Sequence, residues 1–432
     1  MGSVKHLIVD ASKREESAYK MAARLYRAPT RKDFGRGVWY VAGTSSVGDL
    51  KEVIPPQEID IKGPALTMMT ALFFERLAEL NPEIPQCYHR VLDKDGNEVR
   101  AQDLLAKGDT TNLIVMKLAH TPQSYSNGNL DLYREAINPQ FGELKCAVAD
   151  VESIFRNGFP LGSSTFNKIF AAVGMTEEYS SLARHGETVE ALEQIRTLVD
   201  KKGLDNLPKL KKVLQRYGLG TTIPNPGFVL DHLVFDTTTK FEISGDRDIT
   251  PEEAIALSGL TPEGYRLWTE EFLPKIVNAQ IQMAKASRLL NIDGKLECVT
   301  LNGSPVLTDF AFTPDENRLM VTTKLEGERI AIPTNKEIMR AIFREEGIYS
   351  AIDEAKRRAV KEGDINSWKQ FVPLVLKERR INIEEVTEHA YSLMRNAIAE
   401  VANRTLGRTI FDVSPLETWI GKFVPYASRI NQ

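Results

Sequence analysis

Between Asn291 and Met320 the chain reads NIDGKLECVTLNGSPVLTDFAFTPDENRLM, two strand-like runs around Asn302-Gly303 that put charge where a hairpin would ordinarily bury apolar side chains. A strand repeats every two residues, so Asp293, Lys295 and Glu297 share one face, while Ile292, Leu296 and Cys298 share the other or flank it. The register depends on the turn. A two-residue Asn302-Gly303 turn would set Glu297 opposite Thr308, whereas a three-residue loop ending at Ser304 sets it opposite Asp309. Pro305 has no amide to donate to a ladder, which favours the longer loop and predicts that Glu297 faces Asp309. Like charges directly opposite are destabilising, so the pair asks for a cation. Two readings stand side by side at this point: a solvated outer face of a surface hairpin, or a Mg²⁺ site, because hard cations choose carboxylate oxygens and bridge them to a substrate's phosphates.

The wider chain narrows the function classes. With 432 residues, 42% hydrophobic and 26% charged, it is long enough for two or three packed lobes. A net charge of −4 and a pI near 6.0 leave no electrostatic footprint for nucleic acid. Cys87, Cys146 and Cys298 are far apart and show no metal-binding spacing, which suits a reduced compartment. The start, MGSVKHLIVDASKREESAYKM, turns charged too soon for a secretory signal, and no apolar run approaches the roughly 18 residues of a membrane span. A cytoplasmic protein without membrane or nucleic-acid partners is expected.

Periodicity divides the chain into an N-terminal extension (1–22), an α+β lobe (23–120), a central α+β lobe (121–340) with a helical insert at about 170–225, and a helical C-terminal region (341–432). GVWYVAG and TNLIVMKLA read as strands, and ALTMMTALFFERLAEL as a strongly amphipathic helix. The Lys run in LPKLKKVLQRYG reads as a solvated helix face. Thr250-Pro251-Glu252-Glu253 is a helix start, with Thr as cap, Pro in the first turn and Glu at the capping-box position. The helix after Pro262 leads into the charged hairpin, and Trp368 and Trp419 are expected to anchor the C-terminal helices.

Four further stretches place polar residues where a core has no need of them. HLVFDTTTKFEISGDRDITPEE carries Lys240 and Glu242 on one strand face; DVESIFRNGFPLGSS sets Glu152 and Arg156 before Gly162-Ser163-Ser164. An arginine fork beside a Gly-Ser turn makes a good phosphate pocket. TPDENR puts Pro314 and Asp315 in a turn before Arg318, and PTNKEIMRAIF places Lys336 and Arg340 on one helical face. Each alone is as well explained by salt-bridged surface pairs.

Taken in order, LYRAPTR, TSSVGD, IKGPALTMMTALFFERL, VESIFRNGFPLGSS, TKFEISGDRDITPEE, DGKLECV…TDFAFTPDENR and NKEIMR resemble the SAICAR synthetase family, whose members join aspartate to carboxyaminoimidazole ribotide using ATP. The resemblance implies a two-lobed α+β fold with antiparallel sheets and an ATP cleft between the lobes, here with extra helical inserts and C-terminal helices. It also implies small-molecule substrates and Mg²⁺, with a homo-oligomer left open. Carried over by position, Glu297 and Asp309 match the family's Mg²⁺-binding carboxylates. Lys295 and Asp293 match their strand neighbours, and Asp49 and Lys62 complete the implied catalytic set. Arg156, Ser163 and Arg318 match positions that hold the ribotide phosphate; Glu152, Lys240, Asp248, Lys336 and Arg340 fall in the implied substrate-binding set. Arg31, Lys117 and Glu297 are implied for the nucleotide.

The chain also departs from the pattern. Tyr26-Arg27-Ala28-Pro29 stands where the family has Tyr-x-Gly-Lys, so Arg31, which shares an extended face with residue 29, is expected to take over the missing charge, and Lys32 to matter less. Arg247-Asp248 replaces His-Asp, and Asp309-Phe310 replaces Asp-Glu. No Ser/His/Asp or Cys/His arrangement emerges among His6, His89, His120, His185, His232 and His389. Three functions are therefore carried forward: the family's ligase, a paralogue acting on another nucleotide or nucleoside carboxylate, and a nucleotide-binding pseudoenzyme.

Overall fold

The computed structural model describes residues 5–7, 38–42, 46–47, 57–117, 119, 146–175, 185–240, 247–325, 327–334, 337–363, 367–414 and 428–429. The strands expected in GVWYVAG and TNLIVMKLA pair with each other. Strand β1 (Val38–Ala42) joins β4 (Leu113–Lys117) in antiparallel register, and β2 (Tyr88–Leu92) and β3 (Glu98–Val99) complete a sheet of order β1-β4-β2-β3. Helix α1 (Lys62–Leu80) packs against this sheet; α2 (Ala101–Ala106) follows β3. The expected strong amphipathicity of α1 does not materialise. Lys62 through Ala71 are all buried, because the helix is covered by the small sheet and by two later helices, leaving a polar stripe only in its last turns.

A long strand, β8 (Leu289–Leu301), organises the larger sheet. Its first half lies between β6 (Val151–Phe159) and β10 (Asn317–Leu325), and its second half between β9 (Ser304–Thr308) and β5 (Cys146–Val148). The sheet runs β7 (Phe228–Thr239), β6, β8, β10, β11 (Glu328–Pro333), β12 (Ser428–Arg429), with every pairing antiparallel. With helices packed around antiparallel sheets, the fold is α+β, as expected.

The β8–β9 hairpin corrects the expected register. Leu301 pairs with Ser304 and Glu297 with Thr308, so the loop is the two-residue Asn302-Gly303 turn and Asp309 lies one residue beyond the pair. Both turn residues are left-handed, with φ of 52° and 84°, the turn whose twist suits a right-twisted hairpin. Pro305 tolerates this register because its ring nitrogen points away from β8. It shares parity with Leu307, whose N–H donates outward to the Pro85 carbonyl at 2.9 Å.

After β6 come α3 (Ser164–Ala172), α4 (His185–Lys202) and α5 (Pro208–Arg216), which build a second core around Phe159, Phe166, Leu192, Leu210 and Leu214. Thr250 caps α6 (Pro251–Ser258) by accepting from the Glu253 amide at 3.3 Å, as the motif predicts. A continuous helical run, α7 (Pro262–Arg266), a wider turn at Leu267–Phe272 and α8 (Leu273–Ala286), delivers the chain to β8 and buries Trp268. Helices α9 (Glu337–Glu345), α10 (Ile348–Lys361), α11 (Trp368–Glu378) and α12 (Ile383–Leu406) follow, with α12 against α1. Trp368 packs against the main core; Trp419 lies outside the described residues. None of the described helices is long and apolar enough to cross a membrane.

The turn yields a stability prediction. A Cβ on Gly303 would sit 2.7 Å from Thr261 Cγ2 on a backbone with φ +84°. Gly303→Ala should therefore lower the unfolding free energy by about 1–3 kcal/mol, whereas Asn302→Gly, which suits the same backbone, should change it by less than about 1 kcal/mol in urea denaturation.

Candidate active site

Three strands lay their charged faces side by side. Residues directly opposite in an antiparallel pair point the same way. Arg156 is opposite Asp293, and Ile154 is opposite both Lys295 and Asp236. One face of the sheet thus carries Asp236 and Thr238 from β7, Glu152 and Arg156 from β6, and Asp293, Lys295 and Glu297 from β8. The other sends Phe155 and Leu296 into the main core. This is no solvated outer face: Glu297 is 1%, Asp293 2% and Arg156 2% exposed.

At one end of the face carboxylates converge. Oxygens of Glu297, Asp309 and Glu316 lie within 4.8 Å of one another. Asp309 reaches the group although Thr308 holds the paired position, because its φ of 70° turns the chain back immediately after β9, a conformation Asp accepts more readily than most residues. Lys240, directly after β7, bonds Glu152 at 2.9 Å and also reaches Glu297 Oε1. Lys295 stands 2.9 Å from Glu152, 3.1 Å from Glu297 and 3.2 Å from Glu316. Burial would raise the Glu152 carboxyl, yet the Lys295 and Lys240 ammoniums hold it down to about 2. Burial works against the Lys295 ammonium, but Glu316, Glu152 and Asp309 keep its pKa above the ordinary lysine range. Three hard oxygen donors beside two ammoniums fit a divalent cation of the Mg²⁺ kind, which takes few protein carboxylates and completes its shell with water and phosphate.

At the other end stand two guanidiniums. Arg318 bonds Asp293 Oδ2 at 2.7 Å, and Arg156 lies 3.6 Å from the same oxygen. Arg156 donates to Ser163 Oγ at 3.3 Å and Ser164 Oγ at 2.9 Å, and Arg318 donates to the Gly162 carbonyl at 3.2 Å. Gly162 has φ +78°, and a Cβ there would come within 2.9 Å of Glu337 Oε2, so a larger side chain would strain this turn and push against Glu337. Glu337 bonds Arg340 at 2.7 Å and lies 3.5 Å from Arg318; burial would raise its carboxyl, but the two guanidiniums pull it down. A pocket of about 210 Å³ joins the two ends, lined among others by Arg156, Arg318, Ser164, Asp293, Lys295 and Glu316. Lys62, at the start of α1, reaches Asp315 on its rim at 2.8 Å.

Glu152, Arg156, Ser163, Lys240, Asp293, Lys295, Glu297, Asp309, Arg318 and Arg340 are thus gathered on or beside one sheet face, with Lys62 at its edge. Asp248 pairs with Thr238 at the outer edge of this face, where it is 41% exposed and bonds Lys168 at 2.8 Å, but it does not line the pocket. Lys117 is the exposed last residue of β4, near the buried Cys87 thiol, which burial pushes up to about 11. Arg31, Asp49 and Lys336 lie outside the described residues. Sequence reasoning missed Glu316 and Asp236. Period two would have exposed both: Glu316 stands two residues before Arg318, and Asp236 shares parity with Lys240.

Asp236 makes the face sensitive to acid. Burial would raise its carboxyl, but Arg156, Lys168 and Arg216 bring it down to about 2. A folded pKa below the unfolded value of roughly 3.9 stabilises fully above that value and is lost as pH falls towards 2, a contribution on the order of 2 kcal/mol. Urea denaturation from pH 7 to pH 2 should show this acid limb. Asp236→Asn should flatten it and lower stability at pH 7 by roughly 3–5 kcal/mol, because buried cations lose their counter-charge.

A sequence profile of the SAICAR synthetase family matches residues 219–356, the stretch from before β7 into α10. A protein of Archaeoglobus fulgidus provisionally named phosphoribosylaminoimidazole-succinocarboxamide synthase is 25% identical over 419 residues, covering 96% of this chain and 97% of that one. The phosphoribosylaminoimidazole-succinocarboxamide synthase of Thermoplasma acidophilum is 34% identical over 143 residues, which is 33% of this chain and 48% of that relative. Among solved structures, SAICAR synthase from Saccharomyces cerevisiae complexed with SAICAR aligns with a TM-score of 0.43 at 14% identity, over 86% of this chain and 90% of that one. By its sequence matches the chain is similar to the SAICAR synthetase family, most clearly over the stretch from before β7 into α10.

Proposed function

We propose that this chain is an ATP-dependent ligase that forms an amide between the carboxylate of carboxyaminoimidazole ribotide and the amine of L-aspartate, giving SAICAR in purine biosynthesis. The observation that carries this reading is the continuity of one sheet face: a three-carboxylate cluster at one end, a two-arginine pocket at the other, and Lys295 and Asp293 between them. The similarity of residues 219–356 to the SAICAR synthetase family supports the reaction class.

A carboxylate resists amine attack, so ATP must first convert it to an acyl phosphate. Mg²⁺ held by Glu297, Asp309 and Glu316 would supply neutralisation of the charge on the nucleotide phosphates. The other tasks fall to the protein. Arg156 and Arg318, with Ser163 and Ser164 behind Arg156, hold the ribotide phosphate by charge-assisted hydrogen bonds. Lys295, fixed between Glu152 and Glu297 and kept protonated by Glu316, faces the pocket from the carboxylate side and stabilises negative charge on the reacting carboxyl group. Asp293 lines the pocket, and its Oδ1 has no hydrogen-bond donor among the described residues, so it accepts a proton from the aspartate ammonium before attack. Lys240 keeps Glu152 and Glu297 in place, and Lys62 and Arg340 brace the rim through Asp315 and Glu337. By sequence position Arg31, with Lys117, serves the nucleotide, Asp49 joins the catalytic set and Lys336 the substrate set. A related acceptor is the second reading, favoured by Asp248 being paired with Lys168 instead of lining the pocket.

Phosphate release from ATP should require both the ribotide and aspartate; release with a different nucleotide carboxylate alone would move the assignment to the second reading, and no ATP binding would favour a pseudoenzyme. Asp309→Ala should abolish turnover and raise the Mg²⁺ concentration needed for ATP binding. Arg318→Ala should weaken the ribotide by roughly 10- to 100-fold, the worth of one charged hydrogen-bonding partner, and leave ATP unchanged. Equal losses for both ligands would place Arg318 in the nucleotide site.

A further inference from the structure

Arg156 turns its Nε away from the pocket. It donates at 2.8 Å to Asp236 Oδ2, and Asp236, with its side chain fully shielded from solvent, gathers three further groups. Tyr217 donates its hydroxyl to the same oxygen at 3.0 Å, Arg216 bonds Oδ1, and Lys168 stands 3.5 Å from Oδ2 while donating to Tyr217 Oη at 3.2 Å. Tyr217 is fully buried, with the Arg156 guanidinium carbon 6.0 Å from its ring centroid. None of Asp236, Arg216 and Tyr217 lines the pocket.

Arg216 ends α5 and Tyr217 follows it, so both belong to the helical insert and its separate core. Taking a carboxylate and its cations out of water costs about as much as their attraction returns, and a wholly apolar set in place of all of them would pack as well. What the carboxylate adds is direction. Gripping the Nε edge of Arg156 fixes the guanidinium plane and leaves its terminal nitrogens to Ser163, Ser164 and the pocket. Tyr217 and Arg216 in turn fix the two oxygens of Asp236.

We propose that Asp236, Tyr217 and Arg216 are positioning residues for Arg156, through which the helical insert sets the affinity of the pocket for the substrate's phosphate. The inference rests on the reading of that pocket as the substrate-phosphate site.

Calorimetric binding of ribose 5-phosphate to the full chain, with ADP as the second ligand and the thermal midpoint as the check on folding, tests it. Tyr217→Phe keeps the ring and removes only the hydroxyl, and Arg216 is half-exposed, so both variants are expected to fold. Tyr217→Phe and Arg216→Gln should each weaken ribose 5-phosphate by about 3- to 10-fold, the worth of one hydrogen bond, with ADP unchanged, and Arg216→Lys should restore most of the loss. In an Arg156→Gln background, Tyr217→Phe should add less than about 2-fold, since residues acting through one group are not additive. Additive losses in the double variant, or full affinity in both single variants while Arg156→Gln binds weakly, would overturn the positioning role alone. Unweakened binding by Arg156→Gln, or no binding by the parent chain, would overturn the pocket assignment and the positioning role together.

Discussion

A carboxylate buried as deeply as Glu297 is tolerable only with positive charge against it, and the architecture of the central sheet follows from meeting that demand. Lys240 arrives from the end of β7 and Lys295 from two residues upstream on β8, and both reach Glu297 Oε1. Glu152 of β6 shares both ammoniums. Since β6 lies between β7 and β8, this cluster of four forms only if the three strands stand in this order and register. A slip of one residue in any of them would send its charges into the apolar core beneath. The charged face is therefore a constraint on the fold as much as a feature of the site.

The same logic repeats at the arginine end. Asp293 separates Arg156 from Arg318, Asp236 secures the far edge of Arg156, and Glu337 of α9 stands against Arg318 and Arg340. Opposite charges alternate across the face, which lets a dense set of ionised groups sit in a partly desolvated pocket. A neutral lining would ask less of the fold and would offer a phosphate nothing. The C-terminal helices take part: α9 sets Glu337 against Arg318, and α12 covers α1, whose first residue, Lys62, reaches the rim.

Much of this was legible in the linear sequence because a strand's period is two. Asp293, Lys295 and Glu297 fall on one face by counting alone, and Thr250-Pro251-Glu252-Glu253 announces its helix through local capping chemistry. Features that depend on a partner's position were harder to read. Whether Pro305 breaks a ladder depends on which way its nitrogen points, and that is set by the length of the turn it was used to infer. Asp309 joins Glu297 through a left-handed backbone, not through direct pairing. Helix α1 carries no sign of the neighbours that bury its first turns on all sides. Glu316 and Asp236 were readable by parity, but each acquires a role only when a third strand or the helical insert arrives.

The central claim is that this face serves to activate a carboxylate with ATP and hand it to an amine. It is tested most directly by the fate of oxygen. When the imidazole ribotide carries ¹⁸O in its carboxylate and is turned over with ATP and aspartate, an acyl phosphate must pass one labelled oxygen to the phosphate released, and the amide must keep the other. Mass spectrometry of the phosphate should show one ¹⁸O per turnover. Unlabelled phosphate released alongside product would contradict activation by phosphoryl transfer to the carboxylate and would require a different use of the site.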